Sequence, residues 1–127
     1  MRLTENFNLW EFECSCGCDM PEDVLDNIKN LAKELQKIRE HIGKSIRVNS
    51  GYRCIEYNRH IGSNDSSQHV KGKASDIAVE GLSPEELLDE VRYLKDCEDL
   101  NIKGIGIYNT FLHLDTRKNP AYWDYRT

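Results

Sequence analysis

The sequence predicts an α+β fold, in which a small and mainly antiparallel sheet packs against helices. Two segments, residues 24–42 and 87–94, repeat apolar side chains at spacings of three and four, which is typical of amphipathic helices. Four shorter segments have the apolar pattern that is typical of strands. In chain order these elements are helix, strand, strand, helix and hairpin, and this order indicates the α+β class.

Both predicted helices have recognisable ends. Pro21 suits the first turn of the first helix, because the N–H that proline lacks is not needed there, and Gly43 supplies the stop. Ser83 is a favourable N-cap for the second helix, and Pro84 and two acids follow it. The apolar stripe of the first helix is expected to be core, and its members are Val24, Ile28, Leu31, Leu35, Ile38 and Ile42.

Four strands are predicted, and a turn at Asn109 and Thr110 joins the last two as a hairpin. The strands cover residues 46–49, 74–79, 104–108 and 111–115. No strong pattern covers residues 54–68 or the tail from Pro120, so neither segment is assigned a regular element.

Length and charge restrict the function classes. The 127 residues fit one domain, residues 1–127. A formal charge of −5, from 17 Lys and Arg against 22 Asp and Glu, argues against a nucleic-acid-binding surface, because phosphate contacts need clustered cations. The apolar runs are too short to cross a bilayer, and the N-terminus lacks the apolar core of a signal peptide. We expect a monomer that neither binds nucleic acid nor inserts into a membrane.

The chain has five cysteines, and three of them form the C-x-C-x-C run Cys14, Cys16 and Cys18. An odd number does not suit a secreted disulfide scaffold. The run also lacks the two-residue gap of common zinc knuckles. Three states remain open: a reduced, partly buried turn of small residues, a structural metal site, or a disulfide to Cys54. Cys97 lies far from the run in the sequence.

Two histidines and one aspartate form a candidate metal site. His69 ends a polar loop, and Asp76 lies in the following strand, with Gly72 between them to let the chain bend. His113 projects from the face of the fourth strand opposite its leucines. Three such ligands leave the fourth position of a zinc ion open. From spacing alone, hydrogen-bonded structural histidines and a local cap at Asp76 remain alternatives.

Five motifs follow one another along the chain. They are Phe7-x-Leu9-x-Glu11-Phe12-x-Cys14, Ser50-Gly51-Tyr52-Arg53-Cys54 with Asn58, Ser67-x-His69-x-x-Gly72-x-Ala74-x-Asp76-Ile77, Gly104-x-Gly106-x-Tyr108, and Phe111-Leu112-His113-Leu114-Asp115-x-Arg117. Together they resemble the M15 family of zinc peptidases, which contains D-Ala-D-Ala carboxypeptidases and peptidoglycan endopeptidases. The chain is most similar to the compact form common in phages and bacteria. The resemblance covers nearly the whole chain and implies a hedgehog/DD-peptidase-like fold.

The resemblance also implies roles for individual residues. It makes His69, Asp76 and His113 the ligands of one zinc ion per chain. Arg53 matches an arginine that in relatives contacts the scissile carbonyl oxygen or the substrate carboxylate, and a fixed positive charge there would stabilise an oxyanion. Ser67 matches a position near the bound substrate, although it could equally cap its own loop.

The chain differs from the family pattern at the position of the general base. Several relatives carry an acid or a histidine shortly before the last zinc ligand, where this chain has Thr110 and Phe111. Asp115 shares one strand face with His113, because side chains two residues apart on a strand point the same way. Asp115 is therefore predicted to be either the base or an acceptor that orients a ligand. Should it be neither, a loop acid such as Asp65 is the next candidate.

These residues predict a zinc metallopeptidase that hydrolyses a peptide bond in peptidoglycan stem or cross-bridge peptides, as a carboxypeptidase, an endopeptidase or an endolysin. Tyr108 either lines its cleft or fills core. Two alternatives remain: a dipeptidase acting on small D-Ala-D-Ala precursors, and a zinc-bearing binding module without turnover, as in hedgehog-type signalling domains. Arg53 and Asp115 together argue against the module. Without a signal peptide, we expect synthesis in the cytoplasm and access to the wall by release or within an assembly such as a phage tail.

Overall fold

The computed structural model describes all 127 residues and contains three α-helices and five strands. A 3₁₀ turn, Leu9–Phe12, precedes the helices α1 (Glu22–Ile42), α2 (Ile55–His60) and α3 (Pro84–Cys97). The strands are β1 (Arg47–Ser50), β2 (Ala74–Ala78), β3 (Gly104–Ile107), β4 (Leu112–Asp115) and β5 (Ala121–Asp124). The predicted α+β class is confirmed.

The five strands form one sheet in the order β1-β2-β4-β3-β5. Neighbouring strands are antiparallel except for β3 and β5, which are parallel. β3 and β4 form the predicted hairpin. Because β4 pairs with both β2 and β3, side chains from three strands lie next to one another at the centre of the sheet.

The two faces of the central strands differ in chemistry. On one face, Ile77, Leu112 and Leu114 are fully buried in a hydrophobic core that includes side chains of α1 and α3. On the other face, Asp76 of β2 lies directly opposite His113 of β4. Since side chains alternate across a strand, the short sequence of β4 supplies both core residues and a polar surface.

The long helix α1 packs its predicted apolar stripe into this core. Five members of the stripe are buried and Ile42 is partly buried. The helix ends before Gly43 as predicted, but it begins at Glu22, so Pro21 is its N-cap and not a residue of its first turn. None of the helices combines the length and the apolar character that a bilayer crossing requires.

Besides the 3₁₀ turn, two short elements were not predicted. α2 has only six residues, too few to show a helical repeat, and its N-cap is Cys54, whose Sγ accepts a hydrogen bond from the backbone N–H of Tyr57 at 3.4 Å. β5 is a strand of four residues in the polar tail, and it forms by pairing with β3, which is distant in sequence. Neither feature leaves a local pattern that periodicity can detect.

Candidate metal centre and active-site cleft

The polar face of the sheet brings the three predicted metal ligands together. Oδ1 of Asp76 lies 3.2 Å from Nε2 of His69 and 3.1 Å from Nδ1 of His113. One ligand atom from each residue lies within 4.8 Å of the other two, and all three residues are buried. Asp76 and His113 meet because β2 and β4 pair in this register, whereas His69 comes from the loop before β2.

The loop that carries His69 is held on both sides. Its backbone carbonyl accepts hydrogen bonds from the N–H of Arg53 at 3.1 Å and of Gly72 at 3.2 Å. Gly72 has a φ of 74°, and a Cβ there would lie 2.6 Å from a methyl carbon of Val24 on α1. A side chain at this position would therefore push the loop away from the helix, and with it His69.

Each imidazole is fixed through the nitrogen that faces away from Asp76. Nδ1 of His69 lies 2.8 Å from the carbonyl oxygen of Gly51, and a carbonyl can only accept, so this nitrogen carries a proton. Nε2 of His113 lies 2.7 Å from Oδ2 of Asp115. Both rings thus present their other nitrogen to Asp76, and the same arrangement orients ligand histidines in metal proteins.

The donor chemistry of the cluster fits a zinc ion. Two imidazole nitrogens and one carboxylate oxygen form a ligand set that zinc accepts in catalytic sites, where a fourth position stays open. The outer partners Gly51 and Asp115 fix both rings in the orientation that a metal requires. His69, Asp76 and His113 are therefore able to hold the metal that the sequence predicts.

Asp76 and His113 shift each other's pKa values. Burial alone would raise the pKa of Asp76, but hydrogen bonds from His113 and His69 hold that pKa well below its ordinary value. Burial alone would lower the pKa of His113, but hydrogen bonds to Asp115 and Asp76 raise it. The metal-free site therefore keeps its aspartate ionised and favours a proton on His113.

Asp115 lies behind His113 rather than in the cleft. The residue is fully buried, and its carboxylate accepts hydrogen bonds from the Arg117 side chain at 2.7 to 3.1 Å and from the Arg117 backbone N–H at 3.0 Å. Burial alone would raise the pKa of Asp115, but the hydrogen bonds with His113 and Arg117 lower it. The structure thus places this predicted residue on the far side of the imidazole from Asp76.

A cleft of about 460 Å³ opens over the three candidate ligands. Its lining includes the predicted substrate-binding residues, and Asp76 supplies its one carboxylate. The lining residues are Arg53, Ser63, Asn64, Ser66, Ser67, Gln68, His69, Asp76, Tyr108, Phe111, His113, Arg117 and Trp123. Asp65 does not line the cleft; it pairs with Arg59 on the exposed surface at 2.8 Å.

Arg53 brings a positive charge to the edge of the metal cluster. Its Nη2 lies 3.2 Å from Oδ2 of Asp76, the carboxylate oxygen that is not shared by the two imidazoles. Its Nε donates a hydrogen bond to Oγ of Ser50 at 3.1 Å, and Nη1 lies 3.5 Å from Oδ1 of the buried Asn58. The guanidinium is therefore held in place and lines the cleft at the same time.

Ser67 lines the cleft and also organises its own loop. Its Oγ accepts a hydrogen bond from the backbone N–H of His69 at 3.2 Å. The two roles that the sequence leaves open are thus compatible, because one lone pair of a hydroxyl oxygen remains available after this contact.

Trp123 is the main cleft residue that the sequence analysis missed. Its ring centroid lies 4.9 Å from that of His113, and its Nε1 donates a hydrogen bond to the hydroxyl of Tyr108 at 2.9 Å. The ring occupies the space over Gly106, where a Cβ would overlap the indole. The one sequence signal for this contact is the Gly-x-Gly spacing of β3, which marks a strand that something approaches closely.

Comparison with known proteins agrees with this geometry. The M15 peptidase family profile matches residues 3–115. Curated relatives named peptidoglycan L,D-endopeptidase MepK, from Escherichia coli and Shigella flexneri, are 31% identical over 103 residues, which cover 73% of this chain and 52% of theirs. The chain spans about half the length of these relatives. The match of the family over most of the chain, together with the ligand cluster at the floor of the cleft, shows that the chain belongs to the M15 peptidase family.

Proposed function

We propose that this peptidase is zinc-dependent and hydrolyses a peptide bond in bacterial peptidoglycan, acting as an endopeptidase at a bond between an L- and a D-configured residue. The observation that carries the zinc dependence is the buried cluster of His69, Asp76 and His113 in the cleft. The substrate and bond type rest on the curated relatives, which are peptidoglycan L,D-endopeptidases.

Each of the three residues would contribute one ligand atom to the metal. Nε2 of His69, Nδ1 of His113 and a carboxylate oxygen of Asp76 would bind it, since these atoms face one another. When bound, zinc supplies the Lewis acidity that activates water and polarises a peptide carbonyl. Metal binding requires His113 to release its proton from Nδ1, and Asp115 then keeps the remaining proton at Nε2.

Asp115 acts as a positioning residue in this proposal. Both of its oxygens are engaged by His113 and Arg117, and it does not line the cleft. A carboxylate hydrogen-bonded to the outer nitrogen of a ligand histidine fixes the ring and raises its basicity. The alternative role as general base would need Asp115 to reach a water in the cleft, and His113 lies in between.

Arg53 supplies positive charge where the carbonyl oxygen of the scissile bond becomes negative. A guanidinium stays protonated in proteins, and its contacts with Ser50 and Asp76 hold it before substrate arrives. Preorganised positive charge of this kind stabilises a transition state more than a ground state. Arg53 is therefore the residue of this chain best placed to lower the barrier directly.

Purified cross-linked peptidoglycan fragments test the proposal. We expect the zinc-loaded protein to cleave fragments joined by an L,D bond and to leave otherwise matched D,D-linked fragments intact, as read by mass spectrometry. Asp89→Asn, an exposed carboxylate on α3, serves as the control and should retain activity. Cleavage of D,D cross-links alone would assign a D,D-endopeptidase instead, release of only a terminal D-Ala would assign a carboxypeptidase, and binding without cleavage would assign a non-catalytic module.

A further inference from the structure

Four of the five cysteines meet at one place outside the cleft. Cys14, Cys16 and Cys18 follow the 3₁₀ turn near the N-terminus, and Cys54 lies just before α2. Their four sulfur atoms all lie within 4.8 Å of one another. The members are separated by up to 40 residues in sequence, so the fold, and not only the C-x-C-x-C run, assembles the cluster.

We propose that Cys14, Cys16, Cys18 and Cys54 bind a second, structural zinc ion. Three of the sulfur–sulfur distances are 3.3, 3.5 and 3.9 Å. A tetrahedral site with zinc–sulfur bonds of about 2.3 Å places its sulfurs about 3.8 Å apart, so the observed spacing suits a shared central ion. Four thiolates form a closed ligand set, which is typical of structural zinc and leaves no position for substrate.

Two of the four sulfurs accept backbone hydrogen bonds of the kind that metal-bound thiolates accept. The backbone N–H of Cys54 donates to Sγ of Cys14 at 3.4 Å, and the backbone N–H of Tyr57 donates to Sγ of Cys54 at 3.4 Å. A thiol sulfur is a weak acceptor, whereas a metal-bound thiolate regularly accepts such bonds from its outer shell. The shortest of the three sulfur–sulfur distances, 3.3 Å, is far from the separation of about 2.05 Å in a disulfide, and all five cysteines are free.

The position of the four cysteines indicates which parts of the chain this zinc would hold together. It would tie the N-terminal segment to the chain around Arg53, which is the residue before Cys54. The same two segments meet again where the backbone N–H of Tyr52 donates to the carbonyl of Phe12 at 2.8 Å. The carbonyl oxygen of Gly51, the residue before Tyr52, accepts the hydrogen bond from Nδ1 of His69. The second zinc therefore supports both the arginine and one ligand histidine of the cleft.

This proposal does not depend on the proposed function, because the two clusters share no residue. The purified protein should contain about two zinc ions per chain by elemental analysis. Cys16→Ser, which replaces an exposed member of the cluster, should contain about one, and so should His69→Ala. Cys97→Ser is the matched control, since Cys97 is exposed at the end of α3 and outside the cluster, and it should keep both ions.

Cobalt(II) substitution identifies the ligands in the wild-type protein, even if Cys16→Ser does not fold. Sulfur bound to cobalt gives intense charge-transfer absorption in the near ultraviolet, and the cluster of His69, Asp76 and His113 has no sulfur to contribute. We expect this absorption in wild type, Cys97→Ser and His69→Ala. Wild-type protein without it, with the cysteines freely alkylated or joined as a disulfide, would overturn the proposal.

Discussion

Nε2 of His113 lies 2.7 Å from Oδ2 of Asp115, whose side chain has no exposed surface. The same carboxylate accepts hydrogen bonds from the guanidinium of Arg117, and these bonds hold it against the imidazole. On the opposite side of the ring, Nδ1 faces Asp76 at 3.1 Å. A chain of four side chains thus leads from the half-buried Arg117 through the buried Asp115 and His113 to Asp76, and it sets both the tautomer and the orientation of His113.

The first prediction concerns the role of Asp115. Asp115→Asn should weaken zinc binding at the histidine cluster by about 10–100-fold, because an amide holds the ring less firmly than a carboxylate does. Activity should fall with zinc occupancy and return when excess zinc is added. Competition titration with a metal chelator measures the affinity, and peptide hydrolysis at several zinc concentrations measures the recovery.

A catalytic base would behave differently. Activity would then fall by about 10²–10⁴-fold with zinc content unchanged, and added zinc would not restore it. Asp89→Asn on the exposed face of α3 controls for the loss of one negative charge.

Arg53 provides the second prediction. Arg53→Ala should lower kcat by about 10²–10³-fold, which is the usual effect of removing one preorganised donor from an oxyanion site. Zinc should remain bound, because the three ligands are untouched. Arg59→Ala is the control, since Arg59 pairs with Asp65 on the exposed surface. An Arg53→Ala protein with normal kcat and elevated KM would limit Arg53 to substrate binding.

The third prediction concerns the close approach of Trp123 to β3. A Cβ at residue 106 would overlap the indole, so Gly106→Ala should displace Trp123 from His113 and destabilise the fold by about 1–3 kcal/mol. Because Trp10 and Trp123 are the only tryptophans, the Trp10→Phe background isolates the emission of Trp123. We expect a shifted emission spectrum and a lower unfolding midpoint in Gly106→Ala. An unchanged spectrum would contradict the packing described here.

The fourth prediction is a pH dependence of zinc binding. The pKa of His113 is raised in the metal-free protein, so its contribution to stability is complete below the unfolded pKa of about 6.5 and is lost as the pH rises through the higher folded value. Zinc competes with the proton on this residue. Zinc affinity at the cluster should therefore increase with pH until His113 is deprotonated and then level off.

Emission of Trp123, which contacts His113, follows this binding locally in the Trp10→Phe protein. His41→Gln removes an exposed histidine that pairs with Glu90 and should leave the pH profile unchanged. An affinity that is constant from mildly acidic to mildly basic pH would show that no histidine proton is displaced.

Much of the fold could be predicted because its main helices and strands have a recognisable pattern of apolar residues within their own segments. The stripe from Val24 to Ile38 repeats with the helical period, and β4 alternates leucines with His113 and Asp115. Alternation alone puts both polar residues on one face. α2 and β5 were not predicted because each is too short to show a period, and β5 also depends on pairing with β3, which is distant in sequence.

The candidate site shows the same division. The three candidate metal ligands were predicted from motif residues, and the structure brings these residues together. The sequence did not decide between two roles for Asp115. A shared strand face shows that Asp115 lies near His113, but it does not show which neighbouring groups form hydrogen bonds with the carboxylate. The side-chain conformations show that His113 and Arg117, each two residues from Asp115, take both of its oxygens. The register between β3 and β5 places Trp123 over Gly106.

Peptidoglycan hydrolysis should require a metal held by His69, Asp76 and His113. The most direct measurement is the release of peptides from purified peptidoglycan by wild type and His69→Ala, each stripped of metal and then titrated with zinc. Wild type should be inactive when stripped and should regain activity as zinc returns, while His69→Ala should stay inactive at every zinc concentration. Equal release by the stripped and the zinc-loaded wild type, or full activity of His69→Ala, would show that hydrolysis does not need a metal at these residues.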